Sequence, residues 1–321
     1  MKSVRKLLLY AIVFIVLIFA GLLSYITVLM PNAGKAEHIK IALTPERVAR
    51  GEYLANHVCL CMDCHSRRDW SKPGGPIDPN HFGSGGYSLD ESDGYPGVVY
   101  VPNITPYKLV TWTDGEILRA LTTGMRKDGR AIHPLMPWPA FAKMSREDLY
   151  AVIAYLRTIK PIKTGVFPPR KLRFPLNIWV NTLPQKAKLG AAPNPADTVK
   201  YGAYLINLAS CTFCHATEKN GKKIERMAYA GGQEFNMGIK VIYSANITPD
   251  KATGIGNWTR EAFVGRFKSF TDSAKNVDGP GSHGPDPMPW YDYSGMKQTD
   301  LKAIYAYLKS IKPIPHKVPN N

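Results

Sequence analysis

The sequence predicts a mainly α-helical protein, built as one membrane-spanning helix followed by two copies of a single helical unit. Three observations carry that prediction. Residues 7–29, LLLYAIVFIVLIFAGLLSYITVL, contain no charge. A helix-period apolar stripe closes each unit. A set of landmarks recurs in the same order at a spacing of about 150 residues.

The apolar run comes first. As a helix its 23 residues measure about 35 Å, against about 30 Å of bilayer hydrocarbon. A cleaved signal peptide is the competing reading, but its apolar region is usually about 7–15 residues, and LMPNAG matches a small-residue cleavage site poorly. An uncleaved anchor over 1–30 is expected. Lys2, Arg5 and Lys6 ahead of the run keep that end cytoplasmic, which places the rest on the periplasmic side of the inner membrane.

The repeat comes next. RGEYLANHVCLCMDCH (50–65) answers YGAYLINLASCTFCH (201–215), and NITP recurs at 103–106 and 246–249. MPW recurs at 136–138 and 288–290, and DLYAVIAYLRTIKPI (148–162) answers DLKAIYAYLKSIKPI (300–314). The expected domains are 40–163 and 198–317, joined by a linker over 164–197 that is rich in Pro, Lys and Arg. The linker's FPLNIWV stretch is expected to lie across a surface. Each unit opens with a helix, capped by Thr44 or Asp197, and closes with one near 146–160 or 298–312. Gly51 and Gly202 sit inside the opening helices, where Gly costs about 1 kcal/mol relative to Ala. Close crossing by another helix would explain both. The strand-like stretches are GVVYVP (97–102) and KVIYSA (240–245).

Composition limits the partners. The chain has 41 Lys and Arg against 25 Asp and Glu, a net charge of +16. That charge suits an acidic protein or a membrane surface. The basic residues are scattered and no nucleic-acid-binding motif is present, so no nucleic-acid partner is expected.

Cys61-x-x-Cys64-His65 and Cys211-x-x-Cys214-His215 carry the chemistry. Two thiols three apart on a helical turn reach the two vinyl groups on one porphyrin edge, and the next residue aims its imidazole at the iron. At this composition about 0.002 such matches are expected by chance, and two occur. Two covalently attached haem c groups are therefore expected, with His65 and His215 as proximal ligands. A thioredoxin-type pair expects a βαβ context, zinc needs convergence of the pairs, and disulfides leave the histidines unexplained. Cys59 matches Ala209 in the other copy and reads as a spare thiol, the rival being a Cys59–Cys64 attachment.

Met136 and Met288 are the expected distal ligands. Each precedes a proline, which restricts the loop holding the thioether, and an axial Met suits electron transfer. Two rivals compete. Met144 and Met296 also repeat, but read as packing against the closing helices. His133 and His283 lie near the same loops at unequal distances from the methionines. Trp138 and Trp290 read as wall residues, and His38, His57, His81 and His316 as surface residues.

Taken together, the G-x-Y-L helix, CxxCH, NITP, the Met-Pro loop and the closing DL…AYL…IKPI helix resemble the cytochrome c subunit of membrane-bound alcohol, gluconate and aldehyde dehydrogenases. NITPDKATGIGNWT (246–259) is the most specific stretch. The resemblance implies two tandem class I cytochrome c domains that pass electrons from a periplasmic dehydrogenase to quinone or an oxidase-linked acceptor. The chain departs from that pattern in having two haem motifs instead of three and an N-terminal instead of a C-terminal anchor. The expected function is a membrane-anchored dihaem electron carrier with a redox protein partner, and no catalytic residue. The alternatives are a dihaem redox enzyme of peroxidase or thiosulfate-oxidoreductase type, and an assembly subunit of a respiratory complex.

Overall fold

The computed structural model describes residues 2–69, 76–91, 95–219, 222–236, 241–271 and 287–319. His283 and parts of the 71–99 loop lie outside them.

Helix α1 (Lys2–Val28) projects from the body. Of its residues 3–28 every one but Ile26 is exposed, and the helix is long and apolar enough to cross a membrane. The body then runs twice through a similar order of helices, the short α4 of the first pass having no helical counterpart in the second. The first pass is α2 (Pro45–Tyr53), α3 (Cys61–His65), β1 (Ser88–Leu89), β2 (Gly97–Tyr100), α4 (Pro106–Leu109), α5 (Asp114–Thr123), α6 (Trp138–Phe141) and α7 (Arg146–Thr158). The connector holds β3 (Lys171–Leu172) and α8 (Leu176–Trp179). The second pass is α9 (Thr198–Leu208), α10 (Cys211–Cys214), β4 (Glu218–Lys219), β5 (Lys222–Lys223), β6 (Glu234–Asn236), β7 (Val241–Tyr243), α11 (Arg260–Lys268), α12 (Trp290–Ser294) and α13 (Gln298–Ser310). The strands are short ribbons: β1-β2-β3, β4-β5 and β6-β7, all antiparallel. The two strand-like sequence stretches become β2 and β7.

Both caps form as the sequence requires. The Thr44 side chain accepts from Arg47 N, and the Asp197 side chain accepts from Lys200 N. The opening helices cross the closing ones, α2 on α7 and α9 on α13. The glycines sit at those crossings. A Cβ on Gly51 would lie 1.9 Å from Ala151 O, and one on Gly202 would lie 2.0 Å from Ala303 O. Leu149, Val152, Ile153 and Leu156 of α7, and Leu301, Ile304 and Leu308 of α13, are buried against them.

One local difference separates the copies. Between the shared Leu (54 or 205) and the first motif cysteine the first copy has one residue more. Residues Leu54–Val58 take it up as a π turn, with Cys59 N donating to Leu54 O at 2.7 Å. Downstream the register is restored. Leu60 and Ser210, each just before its motif, share the left-handed conformation at φ 52°.

The two passes share one continuous core. The π turn packs on α12, and α6 packs on α9. His57 Nδ1 lies 2.9 Å from Asp292 O, and Asn207 Nδ2 donates to Ala140 O at 3.0 Å. His57 is thus half-buried at this seam, with Gly295 close against its ring, which corrects its reading as a surface residue. His316 is corrected likewise: its Nδ1 lies 2.9 Å from Ala230 O and its ring covers Gly232. His38 is exposed.

The connector clasps the first pass. β3 pairs with β2, Phe167 stacks on Tyr100 at 6.5 Å, Val180 is fully buried, and Gln185 N donates to Thr123 O. It lies across a surface, as its composition predicts.

Candidate haem-binding sites

The two CxxCH segments fold alike because they receive the same supports. In each, a helical turn carries both thiols on one side, and the following imidazole is held from behind. His65 Nδ1 lies 2.7 Å from Pro102 O, and His215 Nδ1 lies 2.7 Å from Ala245 O. A ring whose Nδ1–H is given to a carbonyl keeps Nε2 as its lone-pair atom, the arrangement of a metal-ligating histidine. Burial holds both rings below the ordinary imidazole pKa, opposed by the carbonyl bond, so both are neutral near pH 7. His65 is buried and His215 half-buried.

The carbonyls that hold the histidines come just before NITP, and the structure gives that motif a task that sequence reasoning left unassigned. Asn103 Oδ1 accepts from Thr105 N at 2.8 Å and Thr105 Oγ1 at 2.7 Å, while its Nδ2 donates to Ile162 O at 2.8 Å. Asn246 does the same with Thr248 N at 2.9 Å, Thr248 Oγ1 at 2.7 Å and Ile314 O at 2.9 Å. Each asparagine ties its NITP turn to the IKPI segment that follows the closing helix. The carbonyl one residue upstream is thereby placed at the histidine. Recurrence of NITP and IKPI together was the available signal.

A glycine completes the backing of each site. Gly85 N donates to His65 O at 2.7 Å and Gly231 N to His215 O at 3.0 Å. Both glycines have φ near the left-handed region, 66° and 70°. A Cβ there would strike backbone at 2.5 Å or less: Val101 O and Pro102 C for Gly85, Ser244 O for Gly231. No larger residue fits.

Met136 and Met288 sit in matching turns, half-buried against the core. Trp138 N donates to Met136 O at 2.7 Å, and Trp290 N to Met288 O at 2.8 Å. Met144 and Met296 are each 1% exposed, packed under the closing helices as their position suggested. His133 is engaged elsewhere. Its ring lies 2.6 Å from Tyr95 Oη, and its Nδ1 accepts from Leu135 N at 3.1 Å. Burial, reinforced by the Arg170 charge, pushes its pKa down to about 4. Trp138 is buried with its indole N–H lacking an acceptor among the described residues, whereas Trp290 stacks on Phe270 at 5.0 Å.

These residues fit haem c. Paired thiols adjoin a neutral imidazole with Nε2 available, a thioether turn belongs to each copy, and the orphan indole N–H of Trp138 would be satisfied by an acceptor on a bound group. Among the described residues no three His, Cys, Asp or Glu side chains converge as a metal cluster. All five cysteines are free of disulfides, and Cys59 is buried in the core beside the π turn, its thiol pushed well up by burial.

Comparison with known proteins agrees. A family model described as Cytochrome c matches residues 199–312, the second pass. The chain is 28% identical over 294 residues to an alcohol dehydrogenase (quinone), cytochrome c subunit, from Komagataeibacter europaeus, covering 86% of this chain and 59% of that one. It is 28% identical over 280 residues to a fructose dehydrogenase cytochrome subunit from Gluconobacter japonicus, covering 82% and 52%. A diheme cytochrome c-type protein from Cereibacter sphaeroides is 26% identical over 264 residues, covering 79% and 82%. The chain thus spans somewhat over half the length of the two dehydrogenase subunits. These likenesses are to cytochrome c subunits and a diheme cytochrome c at modest identity, and they support the haem, iron and electron-transport chemistry that the CxxCH motifs point to.

Proposed function

We propose that this protein is a membrane-tethered electron carrier with two covalently attached haem c groups, one in each of two tandem class I cytochrome c domains. Cys61, Cys64 and His65 would hold one group, and Cys211, Cys214 and His215 the other, with Met136 and Met288 as distal donors. The observation that carries this reading is the identical backing of both histidines: Nδ1 to the carbonyl just before NITP, at 2.7 Å in each copy. Two sites built to one plan imply one chemistry in both.

When bound, haem supplies a one-electron couple with no substrate to transform. The protein's own residues do the rest. The carbonyls of Pro102 and Ala245 fix ring orientation and tautomer, and hydrogen bonding at Nδ1 raises the basicity of the ligating nitrogen. The Met136 and Met288 thioethers would serve as the second donors and would raise the potential. With Met136 and Met288 as donors, small molecules would be kept off the metal, which would favour a carrier over a peroxidase-type enzyme.

Helix α1 is read as an inner-membrane span with its basic end in the cytoplasm, leaving the haem-binding body in the periplasm. Because relatives are cytochrome c subunits of dehydrogenases, a dehydrogenase subunit is the donor this reading favours, with a quinone- or oxidase-linked acceptor. The charge of +16 would steer an acidic partner at low ionic strength.

The test is haem stoichiometry. Pyridine haemochrome assay should give two haems per chain, and one after Cys211→Ala with Cys214→Ala. Two haems retained in that variant would refute the attachment. Ready binding of cyanide by one site of the intact protein would favour the enzyme reading instead.

A further inference from the structure

The connector has no acidic residue from 163 to 196, while it carries six basic ones: Lys163, Arg170, Lys171, Arg173, Lys186 and Lys188. In a chain that also has 25 Asp and Glu, this is a one-signed strip. Its middle is amphipathic in a particular way. Val180 is fully buried and anchors the turn, whereas Phe174 is 75% exposed and Trp179 46% exposed beside it. Lys171, Lys186 and Lys188 lie on either side of these rings in the sequence and are exposed; Arg173, also exposed, pairs with Glu91.

The strip has a specific neighbour. The turn over 180–182 lies against α1, and the half-buried residue of that helix is Ile26, near its C-terminal end. The aromatic and basic strip therefore sits where α1 leaves the apolar stretch and enters the body. Exposed Trp and Phe with Lys around them are costly in water and suited to a headgroup layer, where the ring enters the acyl boundary and the ammonium meets phosphate.

We propose that residues 171–188 dock on anionic phospholipid headgroups of the leaflet from which α1 emerges. This rests on the reading of α1 as a membrane span. Phe174 and Trp179 insert at glycerol level, and Lys171, Lys186 and Lys188 contact phosphate. One helix alone leaves the body free to swivel. A second contact 150 residues away in sequence fixes which face of the body turns toward the membrane and which toward partners.

The full chain in nanodiscs of phosphatidylcholine with phosphatidylglycerol, doped with a phospholipid bearing a photoactivatable group at glycerol level, provides the test. Cross-linked peptides are mapped by mass spectrometry. Adducts are expected in 7–28 and in 171–188. Phe174→Ser with Trp179→Ser should reduce the 171–188 adducts several-fold while those in 7–28 persist and two haems per chain remain. Omitting phosphatidylglycerol should also lower the 171–188 yield. Adducts in 7–28 with none in 171–188 overturn this inference alone. Adducts in neither segment overturn the span and the inference together. Equal labelling across the whole body overturns the inference, since it would reflect unspecific collision.

Discussion

The Tyr53 hydroxyl donates to Asp300 Oδ2 at 2.7 Å, joining the opening helix of the first pass to the closing helix of the second. The reverse bond exists too: Tyr204 donates to Asp148 Oδ2 at 2.7 Å. Each phenol also accepts a backbone N–H, from Lys297 at 3.1 Å and Ser145 at 3.0 Å respectively. Tyr53 and Tyr204 occupy the same repeat position, as do Asp148 and Asp300. The seam is therefore reciprocal, the form an isologous contact takes when both partners lie on one chain. Burial first, then the neighbouring aspartate, pushes both phenols up, so they remain protonated donors.

Breaking this seam should loosen the halves from each other. Tyr53→Phe or Tyr204→Phe leaves a buried carboxylate and a backbone N–H short of one partner, at a cost of about 1–3 kcal/mol each. The double variant should depart from additivity, because both bonds close one interface. Denaturant unfolding followed by a probe in each pass would show it. A single unchanged transition in the double variant would mean the seam contributes nothing to coupling.

The helix crossings should reject a methyl group. Gly51→Ala and Gly202→Ala each gain about 1 kcal/mol in helix propensity, but the new Cβ meets a carbonyl oxygen at 1.9 or 2.0 Å. Overpacking of this kind costs about 1–3 kcal/mol, occasionally more, so net destabilisation is expected in both. Thermal midpoints above that of the parent would show that the crossing can open without penalty.

Met136→Ala and Met288→Ala should each remove about half of the Met–iron band in the far red and lower one of two midpoint potentials. Potentiometric titration with absorption readout checks both. A variant that keeps the full band has its ligand elsewhere.

Acid should weaken the first pass through His133. His133 has its pKa pushed from 6.5 to about 4 by burial and by Arg170, so the unfolded chain binds the extra proton between those values. Stability contributed by the neutral ring is present above pH 6.5 and is lost as pH falls toward about 4. Tyr95, Leu135 N and Arg170 face the ring. His133→Gln should flatten this part of the stability profile, measured by thermal unfolding from pH 7 to pH 4. An identical profile in the variant would reassign the acid sensitivity.

Much of the molecule is decided within short stretches of chain. An uncharged run long enough to cross a bilayer, two cysteines three apart with a histidine after them, and leucines on one helical stripe are local facts. Helix ends capped by Thr44 and Asp197 are legible for the same reason: cap and capped N–H lie three residues apart.

What needed three dimensions was every contact whose partners are far apart in the chain. Asn103 reaches Ile162, Pro102 meets His65, and Tyr53 reaches Asp300; spacing encodes none of these distances. His57 reads as solvent-facing until α12 arrives from 235 residues away to cover it. The extra residue before Cys61 is visible in the sequence as a mismatch, yet only packing could choose a π turn over a bulged loop, because the register of α3 had to be kept against a fixed carbonyl. Residue chemistry and local period thus named the candidate CxxCH sites and their helices. Tertiary packing decided how the sites are held and how the two halves hold each other.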